Sequence, residues 1–280
     1  MTGICAVILA AGEGQRLRPL TAHRPKALCP VGNIPLLDRA LARLAGLGLV
    51  GPRQVAVNAA YLADQIVAHV DGRAQLSVEP RPLGTTGGVA RLREWIDGRG
   101  VLVGNADAYL AADLPPGPDI AALLAGWDGR RVRLLVRPLP EATVGGFSGH
   151  AFAGFSLLPW HRVRELTEMP QELVATVWRP AEAAGELDLV SYPGTYIDTG
   201  TPADYLAANL HTIGSANALV AADAQVSGQV VRSVVGAGAL VAGRIERCVV
   251  WPGGVVSADE HLADAVRVGA DLTVRAGSGG

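Results

Sequence analysis

Cysteine is scarce in this chain: Cys5, Cys29 and Cys248 are three in 280 residues, odd in number and widely scattered. That argues against a disulfide framework and against a cysteine metal site; their apolar contexts suit reduced, buried thiols of a cytoplasmic protein. No apolar run approaches the roughly 20 residues that span a bilayer, and the N-terminus passes straight into a strand-like run without a signal-peptide pattern. A membrane partner is not expected. The formal net charge is only −2, which speaks against wholesale binding of nucleic acid, so any affinity for phosphate has to be local. Lysine is almost absent and glycine and alanine abundant, a bias read as compositional rather than functional. With 49% hydrophobic and 18% charged residues the chain is globular, long enough for one sizeable core plus a small appendage.

What is present is organised around one stretch near the start. Ile4-Cys5-Ala6-Val7-Ile8-Leu9 is a short, apolar, β-branched run of the kind that forms a fully buried parallel strand. Ala10-Ala11-Gly12-Glu13-Gly14-Gln15 follows, small enough for a tight turn and close backbone approach to a ligand. Consecutive backbone N–H groups in such a turn make an anion-binding concavity. Arg16 adds a planar cationic fork suited to phosphate oxygens, and Lys26, behind Pro25, adds a compact charge. The combination reads as a triphosphate cradle. It is neither of two familiar glycine loops: the third glycine of G-x-G-x-x-G is replaced by Leu17, and no G-x-x-x-x-G-K-[ST] string occurs.

Downstream, apolar residues at 36, 37, 40, 41 and 44 predict a helix over 35–45, ended by Gly46 and Gly48. A second strand is expected at 54–58, a helix over 60–70 and a short third strand at 76–79. This alternation predicts a parallel α/β sheet, in which ligands bind beyond the carboxyl ends of the strands, where Gly12, Asn58 and Glu79 fall. Gly84-Thr85-Thr86-Gly87-Gly88 opens another helix, running through Trp95, with a backbone bare enough to lie against a flat base. The strand Gly100–Gly104 ends in Asn105-Ala106-Asp107. A carboxylate at a buried sheet edge needs a partner, and Mg2+ is satisfied by one or two carboxylates plus phosphate oxygens. Further strands are expected at 132–136 and 151–158. A strand pair over 186–198 leads to a helix with Thr201 as N-cap and Pro202 as its first residue.

These strings together resemble the signature of the sugar-1-phosphate nucleotidyltransferases (NDP-sugar pyrophosphorylases), L-A-A-G-x-G-x-R-L-x-P-L-T-x-x-x-P-K-x-L-x-P-V, matched from Leu9 through Lys26 and Leu28 to Pro30-Val31. The resemblance covers most of residues 4–210 and implies transfer of a nucleotidyl group from an NTP to a sugar 1-phosphate, with release of pyrophosphate and with Mg2+ as cofactor. It implies that Leu9, Ala10, Ala11, Gly12, Glu13, Gly14 and Gln15 bind nucleotide, and that Arg16 and Lys26 are catalytic. Glu79, Gly84 and Thr85 would lie at the base or ribose, the last two in the family's L-G-T-x-G segment. Asn58 would lie near the sugar or serve as a cap, with Asn105 and Gly154 also on the sugar side. Asp107, from an N-G-D motif with alanine in the middle, and Asp198, from W-x-D-x-G-T-P-x-D-Y with Tyr196 in place of tryptophan, would be the metal carboxylates. The E-K-P motif whose lysine binds the sugar phosphate in many relatives is missing from the Leu139–His150 loop; Arg137 is a weak substitute.

The texture changes past Asn209. Val220, Val235 and Val250 recur at fifteen residues and Val268 at eighteen, with V-x-x-G/D-x-[LV] around them. The expected fold class is therefore α/β, a Rossmann-like and mostly parallel sheet flanked by helices over residues 1–212. A short C-terminal left-handed parallel β-helix is expected over 213–280, with Ala276–Gly280 a frayed end. So short a tail is expected to pack on the catalytic domain or on another subunit of a homo-oligomer. His261 is a lone acyltransferase candidate and reads rather as a surface residue. GTP or UTP is the expected donor, with a slight lean to GTP. The rival reading is a catalytically silent homologue that binds a nucleotide sugar and regulates a partner; retention of Arg16, Lys26, Asp107 and Asp198 weighs against it.

Overall fold

A computed structural model of the chain describes residues 3–139 and 145–277. Part of the Leu139–His150 loop and of the expected frayed end thus lies outside the described residues. By internal contact the chain divides into two compact units, Met1–Glu13 with Leu37–Tyr196, and Gly14–Leu36 with Ile197–Gly280. The texture boundary at residue 212 falls within the helix Pro202–Ile213 of the second unit.

The first unit is built on a seven-stranded sheet in the order Leu187–Ser191, Val132–Pro138, His150–Leu158, Gly100–Asn105, Ile4–Leu9, Val55–Ala59, Gln75–Val78. Neighbours pair in parallel except His150–Leu158, which is antiparallel to both of its partners. Ile4–Leu9 lies inside the sheet with Cys5, Ala6, Val7 and Ile8 fully buried, as expected of an apolar run covered on both faces. Its two neighbours are reached in opposite directions from it, so it borders the topological switch point where open α/β sheets take their ligands. One side of the sheet closes on Val89, Leu92, Ile96, Val163 and Trp178.

The helix Leu36–Gly46 forms where the periodicity places it. The second helix begins later than expected, at Ala63, because Leu62 takes a left-handed conformation ahead of it. The helix expected to run from Gly84 through Trp95 is broken: it spans Gly84–Arg91 and resumes at Arg93–Ile96. Leu187–Ser191 and Thr195–Asp198 are both strands but do not pair with each other, the former closing the edge of the main sheet on Val132–Pro138.

In the second unit, Pro30–Val31 and Ile34–Pro35 form a small antiparallel ladder. Helix Pro202–Ile213 has Pro202 in its first turn, and the Thr201 hydroxyl accepts from the Asp204 N–H at 3.2 Å. Short parallel strands then stack as β-helix coils. Val220, Val235 and Val250 stand in register at the fifteen-residue repeat. Val235, Val241, Ile245, Val250 and Val256 fill the shared apolar interior. The last step departs from the expected register: Val250 pairs with Arg267, not with Val268, which turns back antiparallel onto Leu272. Arg267 is buried there and bonds Glu260 and the carbonyl of Ala270.

Candidate active site

In the first unit, Leu9 stands in register with Asn58 on one side and with Asn105 on the other, so three strand ends meet at one edge. The Ala10 N–H donates to Asn58 Oδ1 at 2.7 Å, which pins the first turn of the glycine-rich loop to the second strand. Asn58 Nδ2 donates to Glu79 Oε1 at 2.7 Å, and the Leu83 N–H donates to Glu79 Oε2 at 2.9 Å. Asn58 and Glu79 are both buried. Burial pushes the Glu79 carboxyl above its ordinary value, partly opposed by the hydrogen bonds from Leu83 and Asn58. This chain from Ala10 to Leu83 ties the cradle to the second glycine cluster, and so gives Asn58 and Glu79 a structural task that spacing alone did not reveal.

Gly84 opens its helix at φ +69, and a Cβ there would lie 2.4 Å from the carbonyl of Gln171, so both conformation and space require glycine. The Thr85 hydroxyl donates to Glu172 Oε2 at 2.8 Å and accepts from the Leu173 N–H at 2.7 Å. Glu172 was not singled out in the sequence, because nothing local to it announces the contact. Asp107 sits in the turn between Gly100–Asn105 and Ala108–Ala111, half-buried. Ala106 is absent from the positive-φ residues, so alanine in the middle of the N-G-D-like motif costs no strain. Gly154 lies on the His150–Leu158 strand with Ala108 and Tyr196 among its nearest side chains. Arg137 is the next-to-last residue of the neighbouring strand, with its guanidinium carbon 5.5 Å from the centre of the Tyr196 ring. Its Nε is buried and has no hydrogen-bond partner among the described residues.

The second unit holds the cationic group. Gly14 takes a left-handed conformation ahead of the turn Gln15–Leu17, and its carbonyl accepts from the Thr21 hydroxyl at 2.8 Å. A Cβ on Gly14 would meet Lys26 Cβ and Thr21 Cγ2, each at 3.0 Å, so glycine lets the arginine-bearing turn close down on the lysine-bearing one. Lys26 is the chain's only lysine. It follows Pro25 at the start of the turn Lys26–Leu28 and is buried, whereas Arg16 is exposed. Both point to one carboxylate: Lys26 Nζ is 3.5 Å from Asp198 Oδ1 and Arg16 Nη2 is 3.4 Å from Asp198 Oδ2. At those separations neither pair is a tight ion pair. Asp198 is half exposed, and so open to a further cation. An array of two cations around a solvent-reachable carboxylate, fed by a glycine turn, is chemically fitted to a polyphosphate carrying a divalent metal.

Comparisons with known proteins set the chain beside nucleotidyltransferases. The family described as Nucleotidyl transferase matches residues 5–122. Over that stretch the chain resembles that family. Among relatives of this chain is an N-acetylmuramate alpha-1-phosphate uridylyltransferase of Neisseria meningitidis, 29% identical over 217 residues, 70% of this chain and 93% of that one. Another is a mannose-1-phosphate guanylyltransferase of Mycobacterium tuberculosis, 35% identical over 115 residues, 39% of this chain and 31% of the relative. A solved Bacillus anthracis structure assigned as a glucose-1-phosphate thymidylyltransferase superposes with a TM-score of 0.64 at 17% identity, over 76% of this chain and 96% of that one. At that identity it supports the fold. No helix among the described residues is long and apolar enough to cross a membrane.

Proposed function

We propose that this chain is a nucleotidyltransferase that joins an NTP to a sugar 1-phosphate, giving an NDP-sugar and pyrophosphate by in-line attack on the α-phosphorus. The observation that carries this reading is the convergence of Arg16 and Lys26 on Asp198 beside the left-handed Gly14 turn. The sugar phosphate is already an anion, so its attack needs no general base. What the reaction demands is offset of the negative charge that accumulates as two phosphates meet. Lys26, held in a buried turn, supplies a fixed positive charge, and Arg16 supplies an exposed fork for the outer phosphates. The backbone from Leu9 to Gln15 lines the triphosphate, and the Gly84–Thr85 turn takes the base or ribose.

The residues present fit Mg2+. Among the described residues no group of three or more metal-ligating side chains forms a protein cage, and Mg2+ bound with nucleotide does not require one. Asp107 and Asp198 are the carboxylates proposed to hold it, together with substrate phosphate oxygens. Held by these carboxylates, the cation would supply charge neutralisation at the phosphates. The sugar phosphate needs a cation of its own, and in place of the missing E-K-P lysine we assign Arg137.

UTP or GTP is the proposed donor. The relative aligned over nearly its whole length favours UTP with N-acetylmuramate 1-phosphate, ahead of GTP with mannose 1-phosphate. The test is pyrophosphate release with and without Mg2+, four NTPs being crossed with mannose, glucose, N-acetylglucosamine, N-acetylmuramate and heptose 1-phosphates. One productive pair that needs Mg2+ is the expected result. Silence in every well, with nucleotide sugars still raising the melting temperature, would replace the enzyme by a silent, regulatory binder.

A further inference from the structure

The segment that carries Lys26 is gripped from the β-helix coils. Trp251, at the end of the Arg244–Val250 strand, is buried. Its ring lies under Arg24, with the guanidinium carbon 4.7 Å from the ring centre. Its Nε1–H donates to the Tyr205 hydroxyl at 2.9 Å, and that hydroxyl donates to the carbonyl of Pro30. One tryptophan therefore reaches the loop two residues before Lys26 and four residues after it. Tyr205 has no solvent exposure, and its ring meets Trp251 edge-on at 6.4 Å.

Two more ties lie beyond Pro30. The Gly32 N–H donates to Asn209 Oδ1 at 3.0 Å, and Asn33 Nδ2 donates to the Val235 carbonyl of the coils at 2.9 Å. Between these anchors the chain makes a single turn, with Leu28 N–H bonded to Pro25 and Cys29 N–H to Lys26. A turn this short has little of its own to fix the height of the lysine amine. Buried polar groups with satisfied partners supply that rigidity.

We propose that Trp251 is a positioning residue for Lys26, and that the coils serve as the support which sets the lysine-bearing turn. The proposal rests on the reading of Lys26 as the cation at the reacting phosphates. In that reading a displacement of the amine by about 1 Å can cost on the order of 100-fold in rate, so a support outside the sheet has catalytic weight. It also gives the coils a task inside the chain, independent of any acyl transfer or partner.

Because Lys26 is the only lysine, growth on lysine labelled with 13C at Cε gives one lysine signal, and its shift and pH titration read the environment of that amine directly. The variants are Trp251→Leu, which removes both ties; Tyr205→Phe, which keeps the packing and removes the hydroxyl; and Arg24→Gln, which leaves the coils untouched should the other two fail to fold. Each folded variant is expected to shift and broaden the Lys26 signal. Turnover (kcat) is expected to fall about tenfold or more in Trp251→Leu, with the KM for the nucleotide within about twofold of wild type. Trp251→Phe, which keeps the ring over Arg24, is expected to lie between wild type and Trp251→Leu. An unmoved Lys26 signal in the folded variants overturns the positioning role. A moved signal with unchanged turnover leaves the support in place and removes Lys26 from the chemistry.

Discussion

Asn58 Oδ1 accepts a hydrogen bond from the backbone N–H of Ala10 at 2.7 Å, and the same side chain donates to Glu79 at 2.7 Å. The start of the glycine-rich loop is thus fixed by a residue 48 positions away, itself fixed by a buried carboxylate. Asn58→Ala leaves the Ala10 N–H and one Glu79 oxygen without these partners inside the protein. Leaving such groups unpaired costs about 1–3 kcal/mol. Urea unfolding should show a loss of that order, and the KM for NTP should rise as the loop loosens. Unchanged stability would mean that water or a shifted side chain replaces the amide.

Glu79 supplies a pH signature. Its carboxyl is raised above the ordinary value of 4.5, chiefly by burial. In the window from 4.5 up to the raised folded value, the folded state holds a proton that the unfolded chain has lost. This site's contribution to stability is then greatest below pH 4.5, declines as pH rises through that window, and levels off above it. Glu79→Gln has no such proton. The stability of wild type minus that of Glu79→Gln, measured at steps from pH 4 upward, should fall and then flatten. A difference that rises with pH would place the folded pKa below the ordinary value.

Asp198 is the shared counter-charge of Arg16 and Lys26, and with Asp107 it is a proposed metal carboxylate. Asp107→Asn and Asp198→Asn should each abolish Mg2+-dependent turnover while melting within a few degrees of wild type. A residual rate that recovers as Mg2+ is raised would mark a weakened metal site. Near wild-type rates in both variants at ordinary Mg2+ would remove the assignment.

The three cysteines are predicted to be inert in the native enzyme. Burial pushes the Cys29 thiol up to about 12 and the Cys5 thiol up to about 11, and raises Cys248 as well. At pH 8 the reactive thiolate is then roughly one part in a thousand at Cys5 and less at Cys29. Iodoacetamide should leave the folded protein unlabelled over an hour and add three groups after denaturation, read by intact mass. Labelling of Cys29 in the folded state would show that the Lys26 turn opens, since Cys29 packs back onto the Pro25 carbonyl.

Much of this architecture is legible in the sequence because its causes are local. Ile4–Leu9 is apolar throughout and becomes a strand buried between two neighbours. The Val220, Val235 and Val250 repeat announces coils that stack in register. The fourth coil is misread, because the two-residue lengthening that brings Arg267 opposite Val250 is invisible in a pattern of valines. Of the site, residue identities are legible and their engagements are not. Gly14, Arg16 and Lys26 lie within one string, whereas the pairing of Asn58 with Ala10, of Thr85 with Glu172 and of Arg24 with Trp251 joins positions that only the folded chain brings together. The one signal for Trp251 was a large aromatic at a coil corner, before Pro252-Gly253, where the repeat itself asks only for small or branched residues.

Arg137 carries the remaining prediction. Its strand runs parallel to Leu187–Ser191 and antiparallel to His150–Leu158. Since His150–Leu158 is antiparallel to Gly100–Asn105 as well, Arg137 stands at the same carboxyl edge of the sheet as Asn105 and Leu9. A half-buried guanidinium held over the Tyr196 ring, with its Nε unpaired among the described residues, is a cation placed for an anionic ligand. Arg137→Gln should raise the KM for the sugar 1-phosphate about tenfold or more, worth roughly 1.4 kcal/mol of binding. The KM for NTP should stay within about twofold, and Arg137→Lys should recover part of the loss. Equal effects on both substrates would instead mark a general loosening of the sheet edge, and no effect on either would leave the sugar phosphate to another cation.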